Sequence, residues 1–185
     1  MYEHFSGRFI QVIESLDMYD ACSNHVVNID EYVKNAYGLN SEIYVRHFHP
    51  ERESLIKFID HLQTTDDDII LFHFSAYSEH CADKVVSAKG FKVLHYHNIT
   101  PHYFFEKKSF LYDLCKKGRD QLASIIDKFS FVTGDSFYNI QEIINLGFKE
   151  NRTLKLPIII DDRKLDKLRT VDEVEKNLLF VGRIC

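Results

Sequence analysis

Two histidine pairs, His47-Phe48-His49 and His95-Tyr96-His97, have the spacing that puts two imidazoles on one face of a strand. Many zinc hydrolases use that spacing. Against a metal, ten histidines in 185 residues make such pairs by chance, and no matching carboxylate cluster stands at a strand end to complete a shell. The expectation is no metal. Cys22, Cys81, Cys115 and Cys185 are widely spaced with no Cys-X-X-Cys pair, which predicts free thiols rather than a zinc knuckle or a disulfide framework. The nucleophile elbow, the P-loop and the glycine-rich dinucleotide fingerprint are all absent. Serine hydrolase, nucleoside triphosphatase and dinucleotide dehydrogenase therefore lose their best sequence support.

A second polar set follows the expected strands, where open parallel sheets bind ligands. It comprises Asp20, Ser23 and Asn24 in the segment 20–25, then Ser75 to Glu79 with Tyr77 among them. Further along come His97, Asn98 and Thr100 in YHNITP, Asp135 and Ser136 after Gly134, and the segment 157–162. Each has a plainer reading as a helix cap, a strand-end histidine or a turn. Phe104 and Phe105 read as core aromatics.

Stepping from these residues to what must hold them, seven short apolar runs alternate with amphipathic stretches. The runs are Phe9 to Ile13, Ser41 to Val45, Ile69 to Phe74, Phe91 to Tyr96, Phe129 to Val132, Thr153 to Leu156 and Leu178 to Val181. That alternation predicts an α/β fold, a doubly wound parallel sheet with helices on both faces. IILFHF and KVLHY lack polar alternation, as strands buried on both faces do. Helices are expected from His25 to Tyr37, stopped by Gly38, and from Pro50 with Leu55, Ile56, Ile59 and Leu62 inward. Another starts at Asp135-Ser136, carries Ile140, Ile143 and Ile144, and ends at Gly147. Asp66-Asp67-Asp68 reads as a solvated turn. Residues 1–176 are expected to form one domain with a charged linker at 163–176, and 177–185 read as the first strand of a second domain.

Charge excludes one class of partner: 23 Lys plus Arg against 28 Asp plus Glu give a net −5, unlike a protein that coats nucleic acid. No apolar run approaches the ~20 residues of a membrane span, and the start MYEHFSGRF lacks the features of a signal peptide. A cytoplasmic protein is expected. Lys107, Lys108, Lys116, Lys117 and Arg119 read as a solvated helix face rather than a lipid-docking patch.

Read as a string, the chain resembles glycosyltransferase family 4, in particular the bacterial members that build polysaccharides. The resemblance rests on DACSNHVVNIDEYVKNAYGLN, DIILFHFSAYSEHCADKVVSAKGFKVLHYHNITPHYFF, GDSFYN, LKLPIIID and NLLFVGRI, in that order over nearly the whole chain. It implies a GT-B architecture of two Rossmann-like domains, of which this is the N-terminal, acceptor-binding one. It further implies transfer from a nucleoside-diphosphate sugar, with retention and without a divalent metal or other cofactor. The acceptor would be a saccharide or a lipid-linked one, which leaves room for peripheral contact with the inner face of a membrane. By the same resemblance, His97 is the catalytic histidine near the donor sugar. Asp20, Ser23, Asn24 and Asn98 fall to the acceptor and Arg183 to the donor, while Tyr77 and Thr100 are placed with the acceptor, and Asp135 and Ser136 with the donor, by their position after the expected strands. Ala21-Cys22-Ser23-Asn24 stands where many relatives have a glycine-rich loop. The alternative is a non-catalytic binding module, or a partner subunit of a two-chain transferase.

Overall fold

The structure is a computed structural model that describes residues 5–160. Seven parallel strands form its single sheet: β1 (Phe9–Leu16), β2 (Ser41–Phe48), β3 (Ile56–Phe58), β4 (Ile69–Phe74), β5 (Phe91–Tyr96), β6 (Phe131–Gly134) and β7 (Thr153–Lys155). Their order is β3-β2-β1-β4-β5-β6-β7. This is the Rossmann-like, doubly wound arrangement, and the chain reverses its direction of winding between β1 and β4.

Among the described residues four α-helices cover the sheet: α1 (Ala21–Tyr37), α2 (Cys81–Ser87), α3 (Phe110–Ile125) and α4 (Phe137–Asn145). Alternate residues of each strand serve opposite faces. Ile10, Val12, Ile70, Phe72, Phe74, Leu94 and Val132 pack with Val85, Leu122 and Ile143 of α2, α3 and α4. On the other face, Ile13, Ile43, Val45 and Leu71 meet Val26, Ile29 and Val33 of α1. Asp20 caps α1, and Gly38 closes it at φ 65°, a left-handed conformation that suits glycine.

Three expectations need correction. The expected helix from Pro50 is a 3-10 turn, Pro50–Leu55, followed by β3 and a second 3-10 turn, Ile59–His61. Ile56 and Phe58 pair with Ile43 and Val45 of β2, whose edge backbone groups a helix would leave without strand partners. Of the supposed inward stripe only Ile59 is buried, and Leu55 is exposed. Asp68 is not solvated: it is 2% exposed, and its carboxylate accepts from the Arg8 guanidinium at 2.8 Å and from the backbone N–H of Arg8 and Thr65. Phe104 lies outside the core, 71% exposed in the 3-10 turn His102–Phe104, because Pro101 turns the chain away from the sheet into a surface loop.

Smaller differences follow the same logic. β6 starts two residues later than its apolar run, because Phe129 is used for packing, its ring stacked 6.2 Å from Phe72. Arg119 is not on a solvated face, since it donates to the Ile99 carbonyl at 2.6 Å and to Glu142 at 2.5 Å. Cys22, Cys81 and Cys115 are free thiols. The linker 163–176, the run Leu178 to Val181, Arg183 and Cys185 lie outside the described residues. Among the described residues no helix is long and apolar enough to cross a membrane.

Candidate functional site

At the carboxyl ends of β1 and β4, where the winding reverses, a cleft of about 800 Å³ opens. Glu14, Ser15 and Asp17 line it from the end of β1, and Asp20 from the cap of α1. His73 of β4 and the loop 75–79 form another wall, and Phe110, Asp113 and Lys117 of α3 close the far side. The loop is held firmly. The Gln121 amide brackets Ser78, accepting from its N–H at 2.9 Å and donating to its carbonyl at 2.7 Å. The Ser78 hydroxyl donates to Glu14 at 2.5 Å. Gly118 lets α3 approach this backbone, because a Cβ there would stand 2.8 Å from the Tyr77 nitrogen. Glu14, Asp17, Asp20, Glu79 and Asp113 line the cleft with Lys117, and Arg46 pairs with Glu79 at 3.3 Å, so carboxylates outnumber cations and the field favours neutral or cationic ligands.

Behind the cleft, on the face covered by α1, lies a buried cluster of histidines. Strand register aligns His73, His95 and Thr133 in one row across β4, β5 and β6. His73 Nε2 is 3.0 Å from Gln11 Oε1, and its Nδ1 is 3.1 Å from His97 Nε2. The other nitrogen of His97 is 3.1 Å from Asp135 Oδ2, while His95 Nε2 is 2.9 Å from Asp135 Oδ1. His95 Nδ1 sits 2.7 Å from the Thr133 hydroxyl. His25, on α1, packs over the group, its ring centre 5.0 Å from that of His95.

Burial governs the electrostatics here. It pushes the His25 imidazole down to about 3, helped by His95 and His97, and holds His73 well below the usual histidine range. It also lowers His95, against the opposing hydrogen bond to Asp135. For Asp135 burial alone would raise the carboxyl, but its contacts with His95 and His97 outweigh it and hold the group ionised. The His95, His97 and Asp135 donor atoms lie within 4.8 Å of one another. The sequence shows no carboxylate beside the histidine pair because Asp135 is 38 residues from His97, and the fold brings it there.

The residues singled out from the sequence separate into groups. Asp20 and Tyr77 line the cleft. His97 and Asp135 join the histidine cluster, and the His97 side chain is fully buried with both nitrogens engaged. Ser23 is buried and occupied locally, donating to Asp20 at 2.8 Å and accepting from the Asp17 N–H at 2.9 Å. Asn24 is exposed and accepts from Arg52 at 2.8 Å. Asn98 (φ 72°) and Thr100 are exposed in the loop after β5, outside the cleft lining. Ser136 caps α4, accepting from the Asn139 N–H at 3.3 Å. Arg183 lies outside the described residues. Sequence reasoning missed Gln11, Glu14, His73 and Lys117, and placed His25 only in the polar segment 20–25 rather than in the histidine cluster. A polar residue inside an apolar run, as in FIQVI and IILFHF, is the signal that marks Gln11 and His73.

Compared with known proteins, the chain matches no family model and no curated protein.

Proposed function

We propose that this chain is the acceptor-binding domain of a retaining glycosyltransferase, taking a sugar from a nucleoside-diphosphate donor to a saccharide or lipid-linked acceptor in the cytoplasm. The observation that carries a binding role is the cleft at the winding reversal between β1 and β4, the place where this architecture takes its ligands. Its lining suits a polyol. Carboxylates can accept hydrogen bonds from sugar hydroxyls, the Ser75 hydroxyl can both accept and donate, and Tyr77 and Phe110 supply aromatic rings to the lining. The sugar-transfer chemistry comes from the resemblance to family 4, whose second domain supplies the donor site. In that reaction the bond from the anomeric carbon to the diphosphate breaks. A bond to the acceptor hydroxyl forms on the same face, and the hydroxyl proton leaves with the diphosphate.

The engagement of both His97 nitrogens inside the protein favours a second reading, a binding module without chemistry. One experiment separates the two. Full-length protein is incubated with a panel of nucleoside-diphosphate sugars and saccharide acceptors, and nucleoside diphosphate release is followed. Acceptor-dependent release that falls at least tenfold in Tyr77→Ala supports the transferase. Saccharide binding without release from any donor supports the binding module.

A further inference from the structure

We propose that His95, His97 and Asp135 form a binding site for one divalent first-row transition-metal ion. The inference starts from Gln11. Its amide nitrogen donates to the Val26 carbonyl at 3.0 Å, so its oxygen is the atom facing His73 Nε2, which must carry a proton. Neutral His73 then has a bare Nδ1, and His97 Nε2, 3.1 Å away, must be the donor to it. The remaining nitrogen of a neutral His97 is a lone pair pointing at an Asp135 oxygen 3.1 Å off. Two acceptors at that distance repel, so a positive charge belongs between them. It is either a further proton or a metal ion.

Three features favour the ion. Two imidazole nitrogens and a carboxylate are the donor set of borderline metals such as zinc, cobalt and iron. The three ligand atoms lie within 4.8 Å of one another, close enough to share one ion. Each histidine also has its second nitrogen fixed, His97 through His73 and Gln11 and His95 by Thr133, as histidines bound to metal do. His25 adds an independent sign. Its Nδ1 accepts from the Ile159 N–H at 2.9 Å, so its Nε2 carries the proton, yet that buried nitrogen has no partner. The His25 ring centre lies 5.0 Å from that of His95 and 5.6 Å from that of His97, so the unpartnered nitrogen belongs to the same cluster. The role is structural, tying β5 to the loop before α4 behind the cleft, and it holds whether or not the chain transfers a sugar.

The test uses the 185-residue chain made without a histidine tag, stripped with a chelator, and titrated with Zn²⁺ and separately with Co²⁺. The expected result is about one ion per chain after desalting, a cobalt absorption band in the visible, and shifts of the His95 and His97 ring nitrogens in ¹⁵N NMR. Asp135→Asn and His97→Ala should each weaken zinc at least tenfold. Where these fold poorly, Thr133→Val, which loosens His95 without removing a ligand, should weaken it severalfold. Binding below a tenth of an ion per chain, with both His97 nitrogens protonated in the ¹⁵N spectrum, overturns the proposal in favour of a proton. Stoichiometric zinc that leaves the His95 and His97 signals unmoved overturns it as well.

Discussion

His97 bridges Asp135 and His73. His97→Ala should therefore leave the buried His73 nitrogen and a half-buried Asp135 oxygen without their partner, at about 2–4 kcal/mol. Thermal unfolding should fall by roughly 5–12 °C for a chain of this size. Asn24→Ala, at an exposed helix position, should change stability by less than about 0.5 kcal/mol in the same measurement. The Asp68 carboxyl gives a pH dependence of known sign. Burial alone would raise it, but the Arg8 guanidinium and the backbone N–H groups of Thr65 and Arg8 win and hold it at about 2. Its folded value lies below the unfolded value of about 3.9. Its contribution, about 2 kcal/mol, is thus present above pH ~4 and is lost as pH falls toward 2. Urea titrations at pH 6, 4 and 2.5 should show this loss in the native chain, and a shallower acid limb in Asp68→Asn.

At the scale of elements, α3 sets the shape of the cleft by lying directly on the loop after β4. Gly118→Ala should push the helix away from the Tyr77 backbone and the Ile99 side chain, since its Cβ would meet them at 2.8 and 2.9 Å. The expected outcome is a loss of about 1–3 kcal/mol, as in overpacked cores. Saccharide affinity should weaken with it, both readable in one calorimetric comparison with the native chain. How much of this was legible in the sequence varies from element to element. The bounds of β4 and β5 coincide with their apolar runs because both strands are covered on two faces. Residues 50–62 misled because Leu55, Ile56, Ile59 and Leu62 have helical spacing, while the outcome was decided by β2's open edge, a partner that local pattern does not contain. The cap at Ser136 was readable from residue type alone, whereas α1 starts at Ala21 behind the Asp20 cap, four residues before the expected His25. The histidine cluster was not, because the row His73, His95, Thr133 exists only once three strands are in register.

For the molecule as a whole, the parallel sheet separates a carboxyl end rich in acidic and imidazole groups from an amino end locked by Arg8 and Asp68. With five carboxylates facing it, the cleft should bind amine-bearing or neutral saccharides and reject uronic acids. Isothermal titration should give severalfold weaker binding of the amine-bearing sugars between 20 and 200 mM salt and little change for the neutral ones, as screening requires. Strand order carries a consequence for biosynthesis. β1 is made first yet ends in the middle, pairing Phe9 with Ser41 on one side and with Ile69 on the other. Its second edge must wait 69 − 9 = 60 residues, about 3–12 s at ribosomal speeds of ~5–20 residues per second. Until β4 emerges, Ile10, Val12 and Ile13 belong to a half-built sheet with an open apolar edge. Nascent chains stalled before Ile69 should be held by chaperones, and those stalled long enough to expose β6 beyond the exit tunnel should be released.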